Sequence, residues 1–456
     1  MELEKEFLDS LKNTNIDTEK LKESFTKKQF LGVRFNRQKF KNIEINAQNM
    51  QNFMQNNDIL CKFSPILWCN DGFYYNEEVR LGKHIFHELG LYYLQEPSAM
   101  SPVEFLDIKP NDFVLDLCAA PGGKTTQIAN KLENGFVLAN EIVPSRAKIL
   151  CENVQRLGIK NCIVTNNSPQ ELENKFECFF DKILVDAPCS GEGMFRKNND
   201  AILEWNINSP KQCMARQIEI VKSAYKMLKP NGKMVYSTCT FSLEENETVV
   251  KFLLDSFDDL ELVEIDHKKY GFENGVAIDG NDSLKKSARL YPYNIDGEGH
   301  FFAVLHKKDN DSFVRRNKQT QKFNKQHVAI FEKFLSKYSS NKYDNYVSIG
   351  DYLYAGCPVD IDRIKVLNAG IFLGEIKKDV FIPSWHFSHT LEKDEFKNTL
   401  ELSETQAKQY IMGLEVDTNL SDGWVLLTYK DFSLCFGKVV AGKVKNHYPK
   451  YLRKQL

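Results

Sequence analysis

The chain has 456 residues with 60 Lys and Arg against 62 Asp and Glu, a balance that excludes a uniformly basic or acidic protein and confines any polyanion contact to local patches. Hydrophobic content of 42% and charge of 27% fit a globular chain with several domains, and no apolar run reaches the ~18 residues of a membrane span. The opening MELEKEFLDS lacks an apolar export core and the 11 cysteines are irregularly spaced without a C-x-x-C pair, so a cytoplasmic protein with free thiols, no membrane attachment and no metal site is expected.

Residues 1–69 begin with charged segments of helical period, followed by FLGVRFNRQKF, which alternates apolar and basic residues as a short strand does. They read as a small accessory unit. From 70 to 306 short apolar runs alternate with amphipathic stretches, the pattern of an α/β fold with a parallel sheet. FVLDL (113–117), FVLAN (136–140), KILVD (182–186) and KMVYS (233–237) are expected as buried strands. Between the last two, Met214, Ile218, Val221, Tyr225 and Leu228 form one stripe of a helix that KPNGK ends. Ser242 and Glu245 have the S-x-x-E spacing of a capping box for the next helix.

Residues 307–325 are polar and read as a basic linker, with five Lys or Arg and no acid between Phe313 and Lys325. The stretch 326–390 opens as a helix, and 391–456 closes with short strands such as GWVLLTYKDFSLCFGKVV, expected as a small β barrel or sandwich. From Phe432 to Leu456 six further Lys or Arg occur without an acid. Two basic stretches around one C-terminal region point to a polyanion partner.

VLDLCAAPGGKTTQIA passes from a buried strand through small residues into a helix, the plan by which α/β sheets hold nucleotides at the carboxyl ends of strands. A phosphate-binding P-loop is excluded by spacing, because the glycine it needs at 118 is Cys118. The next strand ends in Glu141, placed to accept hydrogen bonds from ribose hydroxyls. Without a G-x-G-x-x-G diphosphate turn, the ligand expected is an adenosine that carries an amino acid, and S-adenosylmethionine fits.

A methyl donor in this position makes DAPCSGEG (186–193) and YSTCTF (236–241) legible, since each puts a cysteine just past a strand. Cytosine C5 becomes nucleophilic only after a thiolate adds to C6; one thiol attacks, and a second assists release as an acid or base. Lys124 is the candidate cation to favour a thiolate. Asp186 is placed to bind the N3/N4 edge of a flipped-out base, donating if protonated and accepting if ionised.

The chain resembles the Nop/Sun family of RNA cytosine-5 methyltransferases, in particular the bacterial RsmF-like group that acts on small-subunit (16S) ribosomal RNA. YYLQEPSAM (92–100), LDLCAAPGGKTTQIA (115–129), ILVDAPCSGEGMFRK (183–197), YSTCTFSLEENE (236–247) and RLYPYNIDGEGHFFA (289–303) carry the resemblance, and residues 423–453 are similar to its PUA-like RNA-binding ending. It implies a Rossmann-like S-adenosylmethionine-dependent catalytic domain at 70–306. It further implies an intermediate domain at 326–390, a PUA-like barrel at 391–456, and a monomer acting on ribosomal RNA or the small subunit. The implied nucleophile is Cys239, with Cys189 promoting release, Asp186 and Lys124 beside them. The implied cofactor contacts are the turn Cys118, Ala119, Ala120, Pro121, Gly122, Gly123 and Lys124, with Glu141, Asp186 and a residue near Ser168. Related chains often hold the adenine amine with an aspartate where this chain has Asn166, Asn167 and Ser168. Arg146, one turn beyond Glu141, is a further ligand candidate or a capping or surface arginine. DNA cytosine-5 methyltransferases, which attack from the P-C cysteine, are the nearest rival.

Overall fold

The computed structural model describes residues 5–76, 78–197, 199–309 and 322–455. Four strands make an N-terminal sheet: β1 (Leu31–Phe35), β2 (Phe63–Ile66), β3 (Cys69–Tyr75) and β4 (Tyr92–Leu94), in the order β2-β3-β1-β4. Its inward residues Val33, Phe35, Phe63 and Phe73 are buried, and Gly32 lets the Gln95 carbonyl approach to where a Cβ would stand 2.3 Å away. The boundary expected at 69 therefore falls inside a sheet that continues to Leu94. β1, the partner of both β3 and β4, lies 38 residues earlier than β3, beyond any local pattern.

The central sheet follows the expected α/β plan. β5 (Phe113–Asp116), β6 (Phe136–Asn140), β7 (Cys162–Thr165), β8 (Phe180–Asp186) and β9 (Leu228–Thr238) pair in parallel in the order β7-β6-β5-β8-β9. β10 (Leu260–Leu262), β11 (Glu273–Asn274), β12 (Ala288–Leu290) and β13 (His300–Lys307) complete it on the β9 side, where β13 lies antiparallel to β9. β5 to β8 are buried almost throughout on both faces, which accounts for their nearly continuous apolar sequences. β5 stands between β6 and β8, so the chain reverses its progress across the sheet beside the glycine turn, where such sheets bind ligands.

The helix Ser209–Met227 buries Gln217, Ile220, Val221, Ala224 and Met227, so the expected stripe lies at the edge of the true buried face. Leu228 opens β9 instead of closing the helix. The box at Ser242 is half formed: Ser242 Oγ accepts from the Glu245 N–H at 3.3 Å, but the following helix is Glu247–Ser256, and the Glu245 carboxylate turns elsewhere.

Much of the expected linker, residues 310–321, lies outside the described residues. The helix Lys325–Tyr338 packs on an antiparallel sheet of β14 (Val347–Ile349), β15 (Tyr352–Ala355), β17 (Ile371–Lys377) and β18 (Val380–Pro383). Between them, β16 (Val366–Ala369) leaves this domain and pairs antiparallel with β7, extending the central sheet. The last sheet orders β19 (Thr399–Glu401), β21 (Gly423–Tyr429), β22 (Phe432–Val440), β23 (Lys443–Asn446) and β20 (Val416–Asp417) as β19-β21-β22-β23-β20. It curls as a half-barrel, the form the expected PUA-like ending takes here. Of its six cations, Lys445 pairs with Glu415 at 3.0 Å and Lys454 reaches Glu88 of the N-terminal unit at 2.6 Å. Phe35, Phe40 and Phe86 share one core with Trp385, Tyr410, Val425 and Leu427, so the two ends of the chain pack on each other. Among the described residues no helix is long and apolar enough to cross a membrane.

Arg289 on β12 and Glu247 form a fully buried ion pair, 1% and 0% exposed, and Arg289 also donates to the Phe241 carbonyl at 2.8 Å. Removing one partner strands the other charge in the interior. Arg289→Met is expected to cost about 3–5 kcal/mol, read as a lower denaturant midpoint, and Arg289→Met with Glu247→Leu is expected to recover part of that loss.

Candidate active site

The turn after β5 is built by backbone bonds and small residues. Ala119 N–H donates to the Asn140 carbonyl at 2.8 Å and Gly122 N–H to the Ala119 carbonyl at 2.8 Å. The Ala120–Pro121 peptide is cis. Gly122 has φ of +110°, a left-handed conformation that a side chain rarely adopts, and a Cβ on Gly123 would stand 3.1 Å from the Tyr93 ring. The helix Gly123–Ala129 starts there, so its free N–H groups face the carboxyl ends of the strands. Asp116 accepts from Thr125 Oγ1 at 2.6 Å, and burial lifts its carboxyl to about 7 against that hydrogen bond. Burial pushes the Cys118 thiol far above its ordinary range, which leaves its backbone as the part that can serve a ligand.

Glu141 is 3% exposed at the end of β6 and accepts from Val143 N–H at 2.9 Å. Arg146 stands 3.5 Å from it and donates to the Ala120 carbonyl at 2.9 Å, so this arginine braces the acid against the turn. Ser168 commits its hydroxyl to a capping box with Glu171 at the helix Pro169–Glu173. Asn167 exchanges 3.0 Å bonds with the Lys365 backbone, and Asn166 accepts from Lys365 Nζ at 2.6 Å. None of the three side chains expected near the adenine is left without a protein partner.

At the end of β8, Asp186 receives Lys124 Nζ at 2.7 Å on one oxygen and Ser237 Oγ at 2.7 Å on the other. Its side chain is 31% exposed, so the carboxylate is sealed on the protein side and open toward the cleft. Burial would raise the Asp186 carboxyl, but the Lys124 charge outweighs it and holds the group below its usual range. Burial alone would likewise depress the Lys124 ammonium; Asp186, with help from the nearby Cys239, reverses this and holds it above its ordinary value. His300, at the start of β13, places Nε2 4.0 Å from Asp186. That nitrogen is buried without a partner, and burial together with Lys124 keeps the ring neutral, with its pKa lowered to about 4. Sequence reading missed His300, although it stands within the GEGHFFA stretch already singled out.

The two cysteines meet. Cys189 Sγ and Cys239 Sγ lie 3.3 Å apart as free thiols. The residues that follow them bond to each other, Ser190 Oγ to Thr240 Oγ1 at 2.8 Å. Glu245 accepts from Ser190 N–H at 2.9 Å and from Gln217 at 2.9 Å, and Gln217 also holds the Pro188 carbonyl at 3.0 Å. On the other side Gly193 N–H donates to the Cys239 carbonyl at 2.9 Å, and a Cβ on Gly193 would stand 2.3 Å from the Gly299 carbonyl oxygen. Glu245, read as a helix cap, is the clamp that joins the two thiol turns. The hydrogen bond to Cys239 and burial push the Cys189 thiol well above its ordinary value.

Support also comes from outside the catalytic sheet. Arg34 on β1 is buried and donates from Nη2 to the Gly123 carbonyl at 2.9 Å and to Thr126 Oγ1 at 2.7 Å. Phe7, Leu11 and Phe25 of the N-terminal segment pack on Phe195, Trp205 and Phe241, which flank the thiol turns. No local pattern announced either contact.

Comparison with known proteins agrees with this architecture segment by segment. Residues 103–306 match the family described as 16S rRNA methyltransferase RsmB/F. Residues 3–97 match the N-terminal domain of 16S rRNA methyltransferase RsmF, 333–391 its first C-terminal domain and 397–454 its PUA domain. Ribosomal RNA small subunit methyltransferase F from Vibrio vulnificus (strain YJ016) is 34% identical over 408 residues, 85% of either chain. The protein of that name from Vibrio campbellii is 33% identical over 416 residues, 86% of either chain. The crystal structure of a methyltransferase homolog protein from Pyrococcus horikoshii is 31% identical with a TM-score of 0.57, spanning 66% of this chain and 94% of that one. NSun6 from Pyrococcus horikoshii, solved with SFG, shares the fold at 22% identity and a TM-score of 0.56, over 68% of this chain and 99% of that one. Matched from its N-terminal sheet through the thiol-bearing domain to its half-barrel ending, the chain belongs to the RsmF family of 16S ribosomal RNA methyltransferases.

Proposed function

We propose that the chain methylates carbon 5 of a cytosine in small-subunit ribosomal RNA, with S-adenosylmethionine as donor and Cys239 as transient nucleophile. The observation that carries this reading is the thiol pair, 3.3 Å apart beside the Lys124–Asp186 ion pair at the carboxyl ends of neighbouring strands. The glycine turn and Glu141 fit an adenosine-bearing donor, since the turn leads into a helix whose first N–H groups lack helical partners and a buried acid stands at the next strand end. When bound, such a donor supplies an electrophilic methyl group.

An ionised Asp186 only accepts, so of the alternatives for this residue the one supported is acceptance from the N4 amine of cytosine. Of the two thiols, the hydrogen bond to Cys239 and burial push that of Cys189 upward, and the resemblance puts the nucleophile in the T-C turn, at Cys239. The Cys239 sulfur therefore adds to C6, electron density moves to C5, and C5 takes the methyl group. A solvent water then takes the C5 proton, and the C5–H electron pair re-forms the double bond as the C6–S bond breaks. Cys189, 3.3 Å from the departing sulfur, is placed to hand it a proton. RNA contact is assigned to the half-barrel and its remaining cations, acting through phosphates.

With undermethylated small-subunit RNA and labelled donor, wild-type protein is expected to yield 5-methylcytosine; methyl groups mapped to ribose or N4 would reject the chemistry. Cys239→Ala is expected to lose both turnover and the covalent RNA adduct, and Cys189→Ala to accumulate the adduct on a denaturing gel. The reverse pattern would assign the attack to Cys189, as in DNA enzymes. Lys124→Met removes the largest opposition to burial at Asp186, leaving His300 and the Ser237 hydrogen bond, so its carboxyl pKa rises. A carboxyl carbon-13 titration is expected to show that upward shift, with the protonated form persisting to higher pH than in the wild type.

A further inference from the structure

The intermediate domain reaches the cofactor cleft through one lysine. β16 pairs with β7, Val366 opposite Thr165, and just beyond that pairing Lys365 meets Asn166 and Asn167. Its carbonyl accepts from Asn166 N–H and from Asn167 Nδ2, each at 3.0 Å, and its N–H donates to Asn167 Oδ1 at 3.0 Å. Its ammonium donates to Asn166 Oδ1 at 2.6 Å. On the far side of the same amide, Asn166 Nδ2 donates to the carbonyls of Glu141 at 2.8 Å and Ile142 at 2.9 Å.

The arrangement has only one satisfactory orientation. With Lys365 on Oδ1, the amide must present its NH2 to the two carbonyls; a flipped amide would set NH2 against an ammonium and oxygen against two oxygens. Among the described residues the Lys365 ammonium has no carboxylate partner, and the residue is exposed at the rim. Its charge is not needed to neutralise an acid.

We propose that Lys365 is a positioning residue for the adenosine end of the methyl donor, acting from another domain. It locks Asn166, which holds the Glu141–Ile142 backbone so that the Glu141 carboxylate is presented toward the ribose hydroxyls. This rests on the reading of the cleft as an S-adenosylmethionine site. It also gives a reason why asparagines stand where related chains place an acid: the side chains here join two domains.

Calorimetric binding of S-adenosylmethionine to the full-length chain, without RNA, tests this. Lys365→Met is expected to weaken binding about five- to tenfold, the size of one ordinary net hydrogen bond at an exposed rim, and to raise KM for the donor equally while kcat at saturating donor stays within about twofold. Lys365→Arg, which keeps a donor at that reach, is expected to restore most of the affinity. Unchanged affinity in Lys365→Met would overturn the proposal, as would a fall in kcat with donor KM unchanged. A wild-type chain that binds no S-adenosylmethionine would instead defeat the cofactor reading on which the proposal stands.

Discussion

The contact between Lys124 and Asp186 is the constraint around which the site is arranged. A lysine in the first turn of a helix opposes the helix dipole, and the helix Gly123–Ala129 has no acid there to compensate. Asp186, from the end of the neighbouring strand, supplies the compensation across 2.7 Å. The pair thereby ties the glycine turn after β5 to the end of β8. The second oxygen of Asp186 holds Ser237, two residues before Cys239, so a shift of the turn is passed to the thiol as well. One carboxylate thus ties the glycine turn, the end of β8 and the strand that leads to Cys239 to one another.

Units at either end of the chain brace that arrangement. Arg34 enters from the N-terminal sheet with only neutral partners, Gln95, Gly123 and Thr126, a costly burial of charge that a free-standing catalytic domain would have no means to provide. Lys365 enters from the opposite side with β16. Because the two ends of the chain also share a core around Phe35 and Val425, the outer units are held to each other as well as to the catalytic sheet.

The legible parts of the fold were those whose information is local. Parallel strands buried on both faces write themselves as apolar runs, and a strand–glycine–helix turn followed by an acid is a pattern within one short stretch. The parts that were misread depend on partners far away in sequence. Glu245 has the spacing of a helix cap, yet its carboxylate is claimed by Ser190, 55 residues earlier. β3 needs β1, and β16 needs β7, some 200 residues apart, so neither the boundary at 69 nor the extension of the central sheet could be read from periodicity. In the same way Asn166 and Asn167 read as a departure from a ligand site, when their partner Lys365 lies in a different domain.

Two cysteines in similar strand-end turns acquire different chemistry from what surrounds them. The Cys189 turn is pinned from behind by Glu245, a buried carboxylate whose charge works against a second anion at that sulfur. The Cys239 turn faces Lys124, a buried cation whose own elevated pKa reflects in part the sulfur it faces. The Ser190–Thr240 bond keeps the turns together, with the two sulfurs 3.3 Å apart. Under the proposed mechanism a single cysteine would have to leave carbon 6 and also manage the proton that departure requires; a second thiol 3.3 Å away allows those tasks to fall to two sulfurs.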